Sequence, residues 1–260
     1  MFRSARKSAV IGCVLALVLL VGCSSSSSRN SSESQVSSDR YTQLGIEYLR
    51  MGKLQIALEK LLLALDEDSN NAEAHDAIAV LYEKIKQYPD ARKHFEASIA
   101  LQPDNAGTQN NFGRFLCDRG EYEEAFEYLQ SAMKMPLNDK KWFSFTNAGR
   151  CELMRGKQAQ AEAYFRMALE QQNNFAPALL ELQRISYRQG NFLSAKAFLQ
   201  RYLEVAEQTA GTLWIAIETE KALGNRALAE QYRQLLLQNF SSSYEAKQVR
   251  AVEQSSSLLR

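Results

Sequence analysis

The chain has 260 residues, 45% of them hydrophobic, and a formal net charge of +1, so it can bury a substantial core. Four prolines and twelve glycines, set against abundant Ala, Leu, Glu, Gln, Arg and Lys, favour helix over strand. The near-neutral balance of 31 basic and 30 acidic residues excludes an electrostatic case for nucleic-acid binding.

Arg3, Arg6 and Lys7 precede an apolar run over 9–21 that only Gly12 interrupts. This is a basic n-region followed by an apolar stretch too short to span a bilayer comfortably. It ends Leu20-Val21-Gly22-Cys23, which resembles a bacterial lipobox. The resemblance implies that residues 1–22 are a signal peptide and that Cys23 becomes the first mature residue, carrying palmitate. An ordinary secretory signal or an uncleaved anchor is the alternative. Removal of the three basic residues would leave a charge of −2. Ser24 stands where an aspartate would resemble an inner-membrane retention signal, which points to the outer membrane. Residues 23–37 are serine-rich and lack apolar periodicity, the composition of a flexible tether. Fatty chains contributing about 0.8 kcal/mol per buried methylene would hold such an anchor in a leaflet.

Beyond the tether an alanine recurs every 34 residues, once after 36, at Ala57, Ala91, Ala125, Ala161, Ala195 and Ala229. A glycine five residues earlier keeps the same beat at Gly52, Gly120, Gly156, Gly190 and Gly224, with Lys86 standing in once. A fixed period in this range predicts stacked supersecondary units. The units run 38–71, 72–105, 106–141, 142–175, 176–209 and 210–243, each as two antiparallel helices. Small residues at Gly45, Ala79, Gly113 and Gly149 in the first helix let the second approach. Leu61, Phe95, Leu129, Phe165 and Leu199 supply bulk in the second, and Ala64, Ser98, Ala132 and Ala168 keep it close to its neighbour. Pro103 and Pro136 stop helices between units. The two extra residues of the third unit fall near Met135 to Lys141 and lengthen one turn. Gln183 and Ile217 replace the small residue in the fifth and sixth units, and Arg233 takes the bulky place in the sixth. A polar, degenerate last unit suits a terminal cap, and 244–260 adds a capping helix and a tail.

Over 38–243 these residues resemble the tetratricopeptide repeat family. The resemblance implies an all-α, right-handed superhelical solenoid of six helix-turn-helix repeats with a C-terminal capping helix. First helices of adjacent repeats lie side by side in that fold, which brings Cys117 and Cys151 together. In an oxidising compartment two such thiols favour a disulfide, provided the α-carbons lie within about 7 Å. Two small buried hydrophobes are the alternative.

Site chemistry is sparse. His75 and His94 occupy different helices of one repeat without acids or thiols at metal spacing, and no HExxH occurs. No GxSxG marks a nucleophile, and Glu123-Glu124 lie in a first helical turn, where they complement the helix dipole. The sequence therefore predicts no catalytic residue, metal, cofactor or small-molecule substrate. Binding is read from local faces instead. One residue after each small position stand Ile46, Val80, Arg114, Arg150, Arg184 and Glu218. The arginine row Arg114, Arg150 and Arg184 fits acidic side chains or a terminal carboxylate, or else it is a solvated, salt-bridged face. In the first repeat Ile56, Leu58, Leu62 and Leu63 enlarge the apolar surface. Where Leu58 and Leu62 stand, later repeats carry Arg92 and Glu96, Glu162 and Arg166, and Lys196 and Gln200. Apolar residues on a normally wet face mark an interaction surface, here completed by Ile46 and Leu49, unless the tether or a second copy covers it.

A lipobox, a serine tether and six such repeats together resemble the type IV pilus biogenesis lipoproteins of the PilF and PilW family. The resemblance implies a pilotin: an outer-membrane lipoprotein, facing the periplasm, that binds secretin subunits and promotes their localisation and multimerisation. Its partners would be secretin and, through the lipid, the membrane. A different outer-membrane adaptor, recruiting peptidoglycan hydrolases or serving β-barrel assembly, is the other reading.

Overall fold

Helix-favouring composition and one repeated apolar stripe give an all-helical chain. The computed structural model describes residues 25–258, and these hold thirteen helices and no strand. The expected signal peptide, and Cys23 with its proposed acylation, lie outside the described residues. The chain divides after Asp104 into two units. The first contains α1 (Ser25–Arg50), α2 (Leu54–Glu67), α3 (Ala72–Lys84) and α4 (Tyr88–Leu101). The second contains α5 (Ala106–Asp118), α6 (Tyr122–Lys134), α7 (Lys141–Met154), α8 (Gln158–Gln171), α9 (Ala176–Arg188), α10 (Phe192–Leu203), α11 (Ala210–Ala222), α12 (Arg226–Asn239) and α13 (Tyr244–Leu258).

Each pair is joined by one turn chemistry. After α5, the Gly120 N–H donates to the Cys117 carbonyl and the Glu121 N–H to that of Leu116. Gly120 itself has φ +82°. This is the Schellman closure, in which a residue in the left-handed region lets two orphan carbonyls be satisfied. Lys86 adopts the same conformation at φ +63°, and Gln87 N–H completes the bond to the Tyr82 carbonyl. The turn geometry thus overrides residue type in the second repeat.

Within each of the first four pairs the helices approach at a position where a side chain is small. A β-carbon on Gly149 would lie 2.7 Å from Phe165 Cε1, and one on Gly113 2.7 Å from Leu129 Cγ. Ala57, Ala91, Ala125, Ala161 and Ala195 are fully buried, as are Leu61, Phe95, Leu129 and Phe165. At the C-terminal end, Ile217 packs with Leu213 and Leu236 against Ala246 and Val249 of α13. The large residue that replaces glycine there is covered by the added helix. Arg233, at the bulky place, is half-buried and paired with Glu230 at 2.6 Å.

The flexible tether expected over 23–37 is corrected from Ser25 onward, where α1 has already begun. Ser34 Oγ donates to the Glu67 carbonyl at 2.6 Å, and Ser38 Oγ to that of Ala64 at 2.8 Å. Asn71 Nδ2 donates to Ser38 Oγ and Thr42 Oγ1. These hydroxyls satisfy carbonyls at the end of α2, a local capping role that a composition argument treats as solvation.

The positive φ at Lys86 gives a direct test. Left-handed backbone costs an L-residue about 1–2 kcal/mol, offset in part by the greater unfolded-state freedom of glycine. Lys86→Gly should therefore raise stability by about 0.5–1 kcal/mol in chemical denaturation.

Candidate docking surfaces

In the first unit, α2 offers apolar side chains on two flanks. Leu62 is 48% exposed, and Ile56 and Leu63 are exposed as well. Leu58 and Ile46 are half-buried and pack on the cluster of Leu49, Ala57, Leu61, Ala77, Ile78 and Leu81. Leu49, expected in the docking surface, is only 8% exposed; it belongs to the core, because its helix face meets α2 and α3. The expected single patch therefore resolves into parts.

Later repeats show what each flank faces. Phe126 stands where Leu58 does and meets the Tyr164 ring at 6.1 Å. Arg166 stands where Leu62 does and lies over the Phe198 ring at 5.9 Å. Leu58 and Leu62 thus occupy the flank that points toward the next second helix. Ile56 and Leu63 lie at i−4 and i+3 from Lys60, the place that Tyr164 and Phe198 occupy, and so form the opposite flank. No preceding repeat covers it among the described residues. Exposure follows position across the repeats: Glu96, Arg166 and Gln200 are exposed like Leu62, while Arg92, Glu162 and Lys196 are half-buried like Leu58. Arg92 pairs with Glu96 and Glu162 with Arg166, so at this flank the first repeat replaces an ion pair by two leucines.

In the second unit, a cavity of about 270 Å³ is lined by Arg114, Cys117, Asp118, Asn147, Arg150 and Met154. Asn147 Nδ2 donates to Asn110 Oδ1 at 2.9 Å, linking α7 to α5. Cys117 and Cys151 form a disulfide with their α-carbons 5.7 Å apart, which staples the same two helices. Arg114 donates to Asp118 at 3.2 Å. Arg150 is exposed and pairs with no carboxylate among the described residues. The expected three-arginine row is narrower than its spacing indicates: Arg184 lies outside this cavity and pairs with Glu181 at 3.2 Å. With Arg114 held by Asp118, Arg150 is the guanidinium on this fixed floor that can receive a carboxylate.

The two histidines, read from the sequence as ordinary helix residues without metal-ligand partners, touch. His75 Nδ1 and His94 Nδ1 are 2.9 Å apart, and His75 Nε2 lies 3.2 Å from the Ser69 carbonyl. A carbonyl only accepts, so His75 carries its proton on Nε2 and its Nδ1 accepts from His94 Nδ1–H. Burial first, then His75 and Lys93, lower the His94 pKa from 6.5 to about 4, against a smaller opposing effect of Asp90. The sequence signal was their placement on the paired helices of one repeat. Among the described residues no three His, Cys, Asp or Glu side chains group to hold a metal, and no helix is long and apolar enough to cross a membrane.

Comparison with known proteins matches the repeats and the fold. Tetratricopeptide repeat families match residues 72–105 and 104–174. The type IV pilus assembly protein PilF of Pseudomonas aeruginosa is 29% identical over 241 residues, covering 91% of this chain and 96% of that protein. A solved structure of Pseudomonas aeruginosa PilF superimposes with a TM-score of 0.76 over 84% of this chain and 99% of that one, at 29% identity. The crystal structure of PilW, a widely conserved type IV pilus biogenesis factor, superimposes with a TM-score of 0.73 at 31% identity, over 82% of this chain and 97% of that one.

Two measurements test the geometry. The disulfide closes a sequence separation of 34, a loop whose entropy predicts a loss of about 2–4 kcal/mol on reduction, read as a lower melting temperature that Cys117→Ala/Cys151→Ala reproduces without reductant. For the histidines, the unfolded chain binds a proton near pH 6.5 that folded His94 refuses until about pH 4. Its contribution is complete above 6.5 and lost as pH falls toward 4. Melting temperature should drop more steeply across that window in the natural chain than in His94→Gln.

Proposed function

Because the chain belongs to the type IV pilus biogenesis family of tetratricopeptide-repeat proteins that includes PilF and PilW, we propose that it acts as a pilotin. In this reading it is an outer-membrane lipoprotein, acylated at Cys23 and facing the periplasm. It binds secretin subunits and holds them at the membrane until they assemble into a multimer. Binding alone accomplishes this, so no bond is made or broken and no catalytic group is required. The cationic cavity at Arg114 and Arg150 is a secondary contact for acidic side chains or a terminal carboxylate of the same partner.

The observation that carries the docking role is Leu62. It is an exposed leucine on a helix flank where three other repeats place Glu96, Arg166 and Gln200. An exposed large hydrophobe that replaces a charge gains nothing for the free protein, whereas burying it against a partner contributes about 1.5–3 kcal/mol. Leu58 supports it from the core side, and Ile56 and Leu63 extend apolar surface around the opposite flank.

Capture of purified secretin subunits by the immobilised protein tests the proposal. Leu62→Glu should weaken capture by about tenfold or more, with an unchanged melting temperature. Ile56→Glu/Leu63→Glu should have the smaller effect. Natural affinity in Leu62→Glu, or normal secretin multimers in cells lacking the protein, would exclude the pilotin role and favour another envelope adaptor.

A further inference from the structure

The third repeat is two residues longer than the others, and the extra length lies in the turn between α6 and α7. That turn reads Lys134-Met135-Pro136-Leu137-Asn138-Asp139-Lys140-Lys141, followed by Trp142 and Phe143. It is an ordered protrusion. Asn138 Nδ2 donates back to the Ala132 carbonyl at 2.7 Å, and Asn138 Oδ1 accepts the Lys140 N–H at 2.9 Å. The Asn138 N–H also donates to the Met135 carbonyl. Pinned on both sides, the turn drives Leu137 outward to 96% exposure, the highest of any described large hydrophobic residue. The corresponding turn of the next repeat is Gln172-Asn173-Asn174-Phe175, in which the three exposed residues are polar and the phenylalanine is half-buried.

Charge and aromatic placement agree with that exposure. Three lysines against Asp139 leave the turn with a net charge of +2, and none of Lys134, Lys140 and Lys141 is paired with a carboxylate among the described residues. Glu127 is the other nearby acid, lining a cleft with Lys134, Met135 and Pro136. Behind the tip Phe143 is 44% exposed, stands edge-on to Phe175 at 5.1 Å, and neighbours the Trp142 ring at 5.9 Å.

We propose that this turn is a membrane contact, with Leu137 entering the acyl boundary of an anionic lipid surface. Lys134, Lys140 and Lys141 meet its headgroups, and Phe143 sits at interfacial depth, with Trp142 half-buried on the core just behind it. A single apolar tip on a convex, basic turn requires a groove of matching shape in a folded partner, but requires none in a fluid lipid surface. Aromatic rings and long cationic side chains are the residues that suit the headgroup layer. Each lysine near an anionic surface strengthens binding by about fivefold. One leucine and three lysines are a weak contact alone, and they become effective once an N-terminal attachment keeps the protein beside the bilayer. The contact would orient the repeats on the membrane. It goes beyond the pilotin reading and needs only an N-terminal attachment, whether an acyl chain on Cys23 or an uncleaved anchor.

The natural chain has two tryptophans, so Trp214→Phe leaves Trp142 as a local reporter. The full chain carrying this change is reconstituted into vesicles of phosphatidylethanolamine and phosphatidylglycerol, with plain or brominated acyl chains. Trp142 emission should shift to shorter wavelength, and brominated lipid should quench it. Leu137→Asp should abolish the quenching. Lys140→Glu, or replacement of phosphatidylglycerol by a neutral lipid, should weaken it severalfold. Circular dichroism checks that the exposed substitutions leave the fold intact. A second chain with both native tryptophans changed to phenylalanine and Leu193→Trp, at the opposite end of the helix pairs, should stay unquenched. Equal emission in plain and brominated vesicles, quenching that survives Leu137→Asp, or equal quenching at residue 193 would each overturn the proposal. So would loss of a protein interaction in Leu137→Asp without any vesicle effect, which would assign the tip to a protein groove.

Discussion

The structure depends on a helix pair approaching at a point where one partner has almost no side chain. Gly45 against Leu61, Gly113 against Leu129 and Gly149 against Phe165 leave no room for an added β-carbon. Ala79 occupies the same place opposite Phe95, and both are fully buried. Interior packing of this density tolerates little change in volume. The constraint falls on one stripe per helix, and the remaining faces are free to vary. That freedom is why Leu62 can replace a charged residue without disturbing the pair beneath it, and why one repeat of six can carry apolar residues where others carry charge.

The same constraint explains what the sequence disclosed. Alanine, glycine and bulky positions recur with the repeat because each unit solves one packing problem with one turn. Lys86 was legible as a stand-in for glycine, and it adopts the positive φ that its place demands. Surfaces were less legible, since periodicity identifies which residues differ from their counterparts but not which flank they occupy. Leu58, Leu62, Ile56 and Leu63 are close in sequence yet fall on opposite sides of α2. Leu49 sits one turn from half-buried Ile46 and is core. The serines of α1 were misread for a related reason. Composition describes what a residue does in water, whereas Ser34 and Ser38 act on the carbonyl end of another helix.

Departures from the repeat are therefore informative, and they are of two kinds. Some are compensated within the fold. Ile217, too large for its place, is covered by α13, and Arg233, too polar for its place, is paired with Glu230. Gln183, at the small position of the fifth repeat, is fully buried with neither amide atom hydrogen-bonded, a stability cost with no compensation in view. Others face solvent and compensate nothing: Leu62 at an ion-pair site, Arg150 without a carboxylate, and Leu137 at the tip of the lengthened turn.

This second group differs in chemistry from place to place. The first unit presents aliphatic side chains on α2. The second presents guanidiniums over a disulfide-stapled floor, and a basic turn with an apolar tip. A protein that only solvated its surface would spread charge evenly over equivalent positions, as the later repeats do with Arg92 and Glu96 or Glu162 and Arg166. Apolar residues left in water forgo the free energy of burial and gain it when a complementary surface covers them. A solvated guanidinium such as Arg150 carries no such cost and is free to pair with an incoming carboxylate. In the proposed docking role the gain from burial is what holds a partner, and the stapled, tightly paired helices keep it from being lost to reordering the binding surface.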